Sequence, residues 1–290
     1  INIVGIKTAS IIETICTCAA IGFTILFIAC IVRYVTNGGG SGTLFDPTAF
    51  YNPENFQIKG TLAASAVLCA SFVGFDAVTT LAEEAKDPQK VMGKAIMGVV
   101  IGAGVIFAIV AYFSQIAWPE AYANIEDPDT GIFELFPHIG MSWLGTVFFI
   151  VDNCGSFVCA LAGMGAVSRI LYGMGRDNIL PKKFFGKVSP KFQTPVNNIV
   201  LTTLIALTAL FYQENVMGAA SLVSFGAVCG FFMVNFSVIG HYIIRGKERG
   251  AGAMIRHLII PALGMLSLLV VFYFIETPAK ILGGIWLGVG

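Results

Sequence analysis

Charge falls along this sequence in clusters, and the stretches between the clusters are long, apolar and nearly free of charged side chains. A helix needs about 20 mostly apolar residues to cross the hydrocarbon core of a bilayer. Such stretches run approximately over 11–32, 61–82, 95–119, 139–168, 192–213, 216–244 and 258–275, and an eighth begins near Ile281. Strands of a membrane barrel are about 10 residues long and alternate apolar with polar, which these do not. Charged residues make up 12% of the chain and mean hydropathy is +0.82, where a soluble domain carries about 25% charged residues. The pattern predicts an all-α integral membrane protein. It excludes a disordered chain, a nucleic-acid binder and an ordinary soluble enzyme. The chain starts at Ile1 without a methionine, shows no signal-peptide pattern and stops at Gly290 inside an apolar run, so it reads as a fragment.

The basic residues fix an orientation. With the residue-1 end in the cytoplasm, cytoplasmic segments hold Lys7, Lys86, Lys90, Lys94, Arg169, Arg176, Lys182, Lys183, Lys187, Lys191, Arg245, Lys247, Arg249 and Arg256, which is 14 of the 17 basic residues. The opposite side receives Arg33, Lys59 and Lys280, and its 119–134 loop carries Glu120, Glu126, Asp127, Asp129 and Glu134 with no basic residue. That is the positive-inside asymmetry, and it sets the orientation; the membrane expected is the plasma membrane. The 33–60 segment, rich in Gly, Pro and Asn, reads as an external loop. Gly98/Gly102 and Gly226/Gly230 are expected to admit close helix packing. The seven cysteines lie in apolar stretches, without zinc-ligand spacing or a readable disulfide framework, and are expected to pack.

The second span is not a plain apolar helix. Its middle reads Ala70-Ser71-Phe72-Val73-Gly74-Phe75-Asp76-Ala77-Val78-Thr79-Thr80. A glycine weakens a helix by about 1 kcal/mol relative to alanine, and a midspan carboxylate costs about 2.5–3.5 kcal/mol on insertion scales. Ser71, Thr79 and Thr80 can satisfy backbone groups that an unwound turn releases. Discontinuous helices of this kind bind a carboxylate, an ammonium or an ion through freed N–H and C=O groups. The alternative is a kinked helix with Asp76 near the cytoplasmic boundary and merely structural.

The fourth span holds Asp152-Asn153 near its middle, and Ser156, Cys159 and Gly163 continue from Asp152 at helical steps of four, three and four. An intramembrane acid normally faces a bundle interior or a water-filled cavity. Asp152 is therefore a candidate counter-charge for a cation, a candidate proton carrier, or one half of a structural pair. Glu13, one turn inside the first span, can carry a proton or snorkel to the cytoplasmic surface. His138, His241 and His257 are scattered and make no metal site, and the chain has no P-loop, GxGxxG, HExxH or nucleophile elbow. No cofactor and no enzymatic activity are expected.

Several motifs are shared with one family. Phe72-Val73-Gly74-Phe75-Asp76-Ala77 followed by Glu83-Glu84-Ala85-Lys86-Asp87-Pro88 resembles the sixth helix and following loop of amino acid–polyamine–organocation permeases. Ser168-Arg169, Met174-Gly175-Arg176-Asp177-Asn178-Ile179-Leu180-Pro181 and Thr194-Pro195 resemble their eighth-to-ninth helix connection, and Asn2, Gly5, Ile6 and Lys7 the start of their fifth helix. Phe75–Leu81 and Ser224-Phe225-Gly226 are similar to the putrescine-importer-like branch. The resemblance implies a partial LeuT-type inverted-repeat transporter fold, from helix five to the start of helix twelve. Residues 1–35 would be the fifth helix, 36–60 an external loop, 61–245 the second five-helix repeat, and 246–290 helix eleven and the start of helix twelve.

It also implies a site. Ser71, Phe72, Val73, Gly74, Phe75 and Asp76 would form its helix-six half, with Cys159 and Gly163 on the eighth-helix wall. Asp152 and Ser156 join them from the residue reading, and Asp76, Asp152 and Glu13 are the coupling-ion candidates. Two departures stand out. The fifth helix reads Cys16-Thr17-Cys18-Ala19-Ala20 where proton-coupled relatives often place a lysine, and Ala70 stands where some relatives have a gating tryptophan. The loop Val91-Met92-Gly93-Lys94 also lacks a proline common before the seventh helix. The function implied is secondary active import of a small amine or amino acid by alternating access, driven by H⁺ or, second, Na⁺. An amino acid exchanger, and a channel or membrane scaffold, are the alternatives. A piece without the first four helices is expected to transport nothing by itself.

Overall fold

The structure is a computed structural model that describes residues 2–3, 6–53, 56–84, 87–126, 130–212, 216–247 and 250–289. Ile1, Gly5, Ala85, Lys86, Asp127, Asp129, Arg249 and Gly290, which carry parts of the family signature, the charge count and the chain ends, lie outside the described residues, as do the side chains of Ile6, Lys7, Ala70, Leu81, Glu83 and Glu84.

Every regular element described is helical. In chain order these are α1 (Ile6–Thr36), α2 (Ile58–Phe72), α3 (Pro88–Ala117), α4 (Ala121–Asn124), α5 (Gly131–His138), α6 (Ser142–Arg176), α7 (Lys182–Phe185), α8 (Val196–Ala206), α9 (Val216–Val238), α10 (Ala251–Met254), α11 (Ile260–Phe274) and α12 (Thr277–Val289). Tighter 3₁₀ turns cover Pro47–Ala49, Phe75–Glu84 and Leu207–Tyr212, and wider π turns cover Ile239–Arg245 and Ile255–Ile259. Among the described residues, five stretches are long and apolar enough to cross a membrane: Ala9–Thr36, Pro88–Ala117, Ser142–Arg176, Gly218–Arg245 and Ala251–Phe274.

Those five account for the first, third, fourth, sixth and seventh apolar stretches of the sequence. The other two differ from a plain span. Residues 61–82 are cut between Phe72 and Phe75, and the described residues of 192–213 are α-helical only over Val196–Ala206, tightening to 3₁₀ over Leu207–Tyr212. Helices also run past the apolar windows. Val91–Lys94 are not a loop but lie in the first turns of α3, whose first turn already holds Pro88, where a missing N–H does no harm. Likewise α6 continues to Arg176, beyond Gly163 and into the basic segment.

Polar side chains within the spans close on their own backbone. Thr17 and Thr24 donate to the carbonyls of Glu13 and Ala20, Asn153 to Phe149, and Asn235 to Phe231, at 2.7–2.9 Å. In hydrocarbon, with no water to bond, that is the cheapest way to hold such groups.

The chain divides into two compact units, Ile1–Pro53 with Gly74–Thr208, and Glu54–Val73 with Ala209–Gly290. In the first, α1 packs on α6 and α3, α5 packs on α6, and α8 packs on the cytoplasmic part of α6 with α7. Its core joins Phe27, Ile31 and Val35 of α1 to Ile116 and Ala117 of α3, Leu135 and Phe136 of α5, and Leu144 of α6. Within a bilayer such a cluster gains little from leaving water, so its strength lies in dispersion and ring packing. Phe136 stands edge-on to Phe27, and Phe23 meets Phe148 with centroids 5.6 Å apart.

The loop after α1 is tied down to α3. Ser41 N–H donates to the Ile116 carbonyl at 2.9 Å, satisfying one of the acceptors that a helix end leaves over. Gly40, with φ +57°, makes this approach possible, because a Cβ there would run into Ile116 O. The Tyr112 hydroxyl accepts from Asp46 N–H and donates to the Leu44 carbonyl, while its ring stacks on Phe50. In the second unit, α2, α11 and α12 pack on α9, and α11 also packs on α2. Close contact there occurs at Gly283, whose Cβ position is filled by the Phe225 ring, and at Gly264 beside Asn235. Gly98, Gly102, Gly226 and Gly230, expected to admit neighbouring helices, have open space at that position instead; absence of a side chain permits approach without compelling it.

Candidate functional site

The interruption of the second span is local and well defined. α2 ends at Phe72, and Gly74 takes φ +111°, a region that L side chains rarely enter. The chain then re-forms as a 3₁₀ helix from Phe75, with Ala77 N–H donating to the Gly74 carbonyl at 3.0 Å. Thr79 and Thr80 turn their hydroxyls onto the carbonyls of Asp76 and Ala77, at 2.6 and 2.7 Å. They stiffen the cytoplasmic half just after the break, where the ordinary helical ladder has lapsed. Ser71, Val73, Gly74 and Asp76 are exposed, and Phe72 and Phe75 half-buried.

Placement of the sequence-predicted residues is uneven. Ser71, Phe72 and Val73 belong to the second unit, whereas Gly74, Phe75, Asp76, Asp152, Ser156, Cys159, Gly163 and Glu13 belong to the first. Within the first unit the Phe75–Glu84 segment packs against α6 and α3. Asp152, Ser156, Cys159 and Gly163 follow one another along α6 and all are exposed, so they form a continuous polar strip rather than a buried pair. Asp152 lies ten residues from the start of α6; at 1.5 Å per residue that is about 15 Å, half the thickness of a hydrocarbon core of about 30 Å. Glu13 is half-buried on α1. No group of three or more His, Cys, Asp and Glu that could hold a metal ion is found among the described residues.

A sizeable apolar cleft lies elsewhere. It occupies about 780 Å³ in the second unit, lined by α9, α11 and α12 residues including Leu222, Phe225, Gly226, Cys229, Phe272 and Trp286. None of the predicted site residues lines it.

A buried polar cluster escaped the sequence reading. Asn198, fully buried at the start of α8, donates to the Phe185 carbonyl at 3.0 Å and the Ser168 carbonyl at 3.4 Å. Thr194 donates to the Ile3 carbonyl, and Asn2 donates to the Leu161 carbonyl of α6 at 2.8 Å. These bonds lash the segment before α1, the 177–195 connection and the cytoplasmic half of α6 together. Ser168 and Thr194 were visible as motif residues, but Asn198 sits in an apolar stretch with nothing local to mark it.

Five long apolar helices, beside an apolar stretch interrupted next to a carboxylate, define a multi-pass helical membrane protein. The family model described as Amino acid permease matches residues 1–284. The chain belongs to the amino acid permease family, whose members fit the LeuT-type fold. It is 30% identical over its whole length to the low-affinity putrescine importer PlaP of Escherichia coli (strain K12), of which it spans 63%. It is 33% identical over 74% of its length to cationic amino acid transporter 7, chloroplastic, of Arabidopsis thaliana, covering 37% of that protein. To the branched-chain amino acid permease BcaP of Lactococcus lactis it is 29% identical over 80% of its length, covering 49% of BcaP. The chain thus spans less than two thirds of the length of these relatives.

Proposed function

We propose that this chain is part of a plasma-membrane secondary active transporter that imports a small amine or amino acid by alternating access, coupled to a proton or to Na⁺. The observation that carries the reading is the interruption between Phe72 and Phe75, with Gly74 at φ +111° and Asp76 beside it. A break of this kind offers N–H and C=O groups to the polar head of a substrate where a continuous helix would offer none.

On this reading 1–35 is the fifth helix, 61–245 the second inverted repeat, and 246–290 helix eleven with the start of helix twelve. Phe72 and Phe75 close over the bound substrate, and a ring face holds an ammonium by about 0.5–2 kcal/mol. The α6 strip of Asp152, Ser156, Cys159 and Gly163 forms the facing wall. Asp152 draws a cation toward mid-depth, and Asp76, Asp152 or Glu13 carries the coupling proton. Desolvating a dication is expensive unless carboxylates meet it, so the two acids at Asp76 and Asp152 favour a polyamine such as putrescine over a neutral amino acid. The resemblance to a putrescine importer supports the same choice.

The test is uptake of labelled putrescine into proteoliposomes holding the full-length protein, with and without an inward proton gradient, beside Asp152→Asn. Gradient-driven uptake is expected, and a fall of about 10²-fold in the variant, the scale at which a residue in direct contact with its charged ligand registers. Accumulation of a neutral amino acid in both proteins, with putrescine ignored, would remove the polyamine assignment and the role of Asp152 and leave a permease of the BcaP kind.

A further inference from the structure

α1 and α6 run antiparallel, and their register can be read from side-chain pairs. Phe23 meets Phe148 at 5.6 Å between centroids. Seven residues toward the cytoplasm on α1 is Cys16; six residues toward the cytoplasm on α6 is Cys154. Those steps rise about 10 Å and 9 Å respectively, which brings both cysteines to one level of the packed α1–α6 pair, each thiol within electrostatic reach of the other. Both are free; Cys16 is half-buried and Cys154 exposed. Nothing else in the site reading uses either residue, and packing alone would be served by any small apolar side chain.

We propose that Cys16 and Cys154 form an intramembrane dithiol that a membrane-permeant two-electron acceptor, a quinone or an azo compound, converts to a disulfide, pinning α1 to α6. The balance is simple. Both S–H bonds break, one S–S bond forms, and two protons and two electrons pass to the acceptor, giving a quinol or a hydrazine. A disulfide needs Cβ atoms about 3.5–4.5 Å apart, so the crossing point of two packed helices is one of the few places where it closes without unfolding either. The exposure of Cys154 gives a lipid-soluble oxidant its way in.

The consequence for transport rests on the function proposed above. Asp152 and Ser156 flank Cys154 on α6, and Glu13 lies one turn from Cys16 on α1. A covalent link at this level would stop α1 from sliding or tilting against the wall of the site, and with it the exchange between access states.

The experiment uses the full-length protein in membrane vesicles, oxidised with diamide, blocked with N-ethylmaleimide, digested and mapped by mass spectrometry. The peptides holding Cys16 and Cys154 are expected as one linked species that dithiothreitol separates and that is missing from Cys16→Ser and Cys16→Ala. Recovery of both cysteines as maleimide adducts, or linkage of Cys16 to another cysteine, would overturn the proposal. In parallel, diamide is expected to slow uptake about tenfold, reversibly, as arrest of a gating motion does, and to leave either Cys16 variant unaffected. A linked protein that transports as fast as the reduced one would overturn the locking. Absence of any uptake by the reduced protein would instead count against the transporter reading, while the mapping still decides the dithiol.

Discussion

At Gly74 the chain depends on one missing side chain. Nothing lies within 4 Å of where its Cβ would stand, so an alanine meets no obstacle and the whole penalty is backbone strain at φ +111°. Held in place, such strain is of the order of 1–3 kcal/mol. Gly74→Ala is therefore expected to lower the apparent Tm of the purified protein and reduce uptake together; unchanged values in both would show that the break closes into ordinary helix without loss. A second residue-scale prediction concerns the loop after α1. Asp46 caps the 3₁₀ turn at Pro47–Ala49, its carboxylate accepting from the Thr48 hydroxyl at 2.6 Å and the Thr48 N–H at 2.9 Å. Those bonds, the hydroxyl's first, hold its carboxyl below the usual carboxylate pKa. Since the folded value is the lower one, the cap's contribution is complete above the unfolded value and is lost as pH falls through the folded value. Pepsin cleavage around 44–50 should accelerate over that acid window in the native protein, whereas Asp46→Asn should show no such step.

Helix identity was largely legible from the sequence, because a run of apolar residues longer than a strand can use has one stable form in a bilayer. The break at Val73–Gly74 was legible too, from a glycine beside a midspan acid and three hydroxyl residues. What was not legible is instructive. Leu207–Tyr212 contains no glycine or proline, yet it tightens to 3₁₀ after α8, a choice no local residue announces. Asn198 owes its place to carbonyls 13 and 30 residues back in the chain, and a pattern confined to one stretch cannot see them. The strip along α6 was readable from its spacing, but its exposure was not, since that depends on what packs against α6. Element packing also sets where stability is concentrated. Phe136 of α5 is 1% exposed and touches rings from α1 and α6. Phe136→Ala should destabilise the protein by about 3–5 kcal/mol, the usual range for emptying an aromatic site, as measured by unfolding in detergent. A change under 1 kcal/mol would mean that the cluster re-packs around the gap.

On the scale of the whole chain, the two units divide the candidate residues at the break itself, with Val73 ending one segment and Gly74 opening the next. The division did not follow from hydropathy, which sees 61–82 as a single stretch. The transport measurement and the oxidation measurement belong to this scale, because each asks whether elements distant in sequence act as one machine. The turn between α9 and α11 carries a different consequence. Both helices reach it through π turns, Ile239–Arg245 and Ile255–Ile259, where Tyr242 stacks on His257 at 4.1 Å. A π turn holds one residue more than the α turn it replaces. The chain there keeps slack inside its helices. A lineage of this protein that drops one residue from either π turn would shorten the helix without opening the connection, so length variation among its descendants should collect at these two turns.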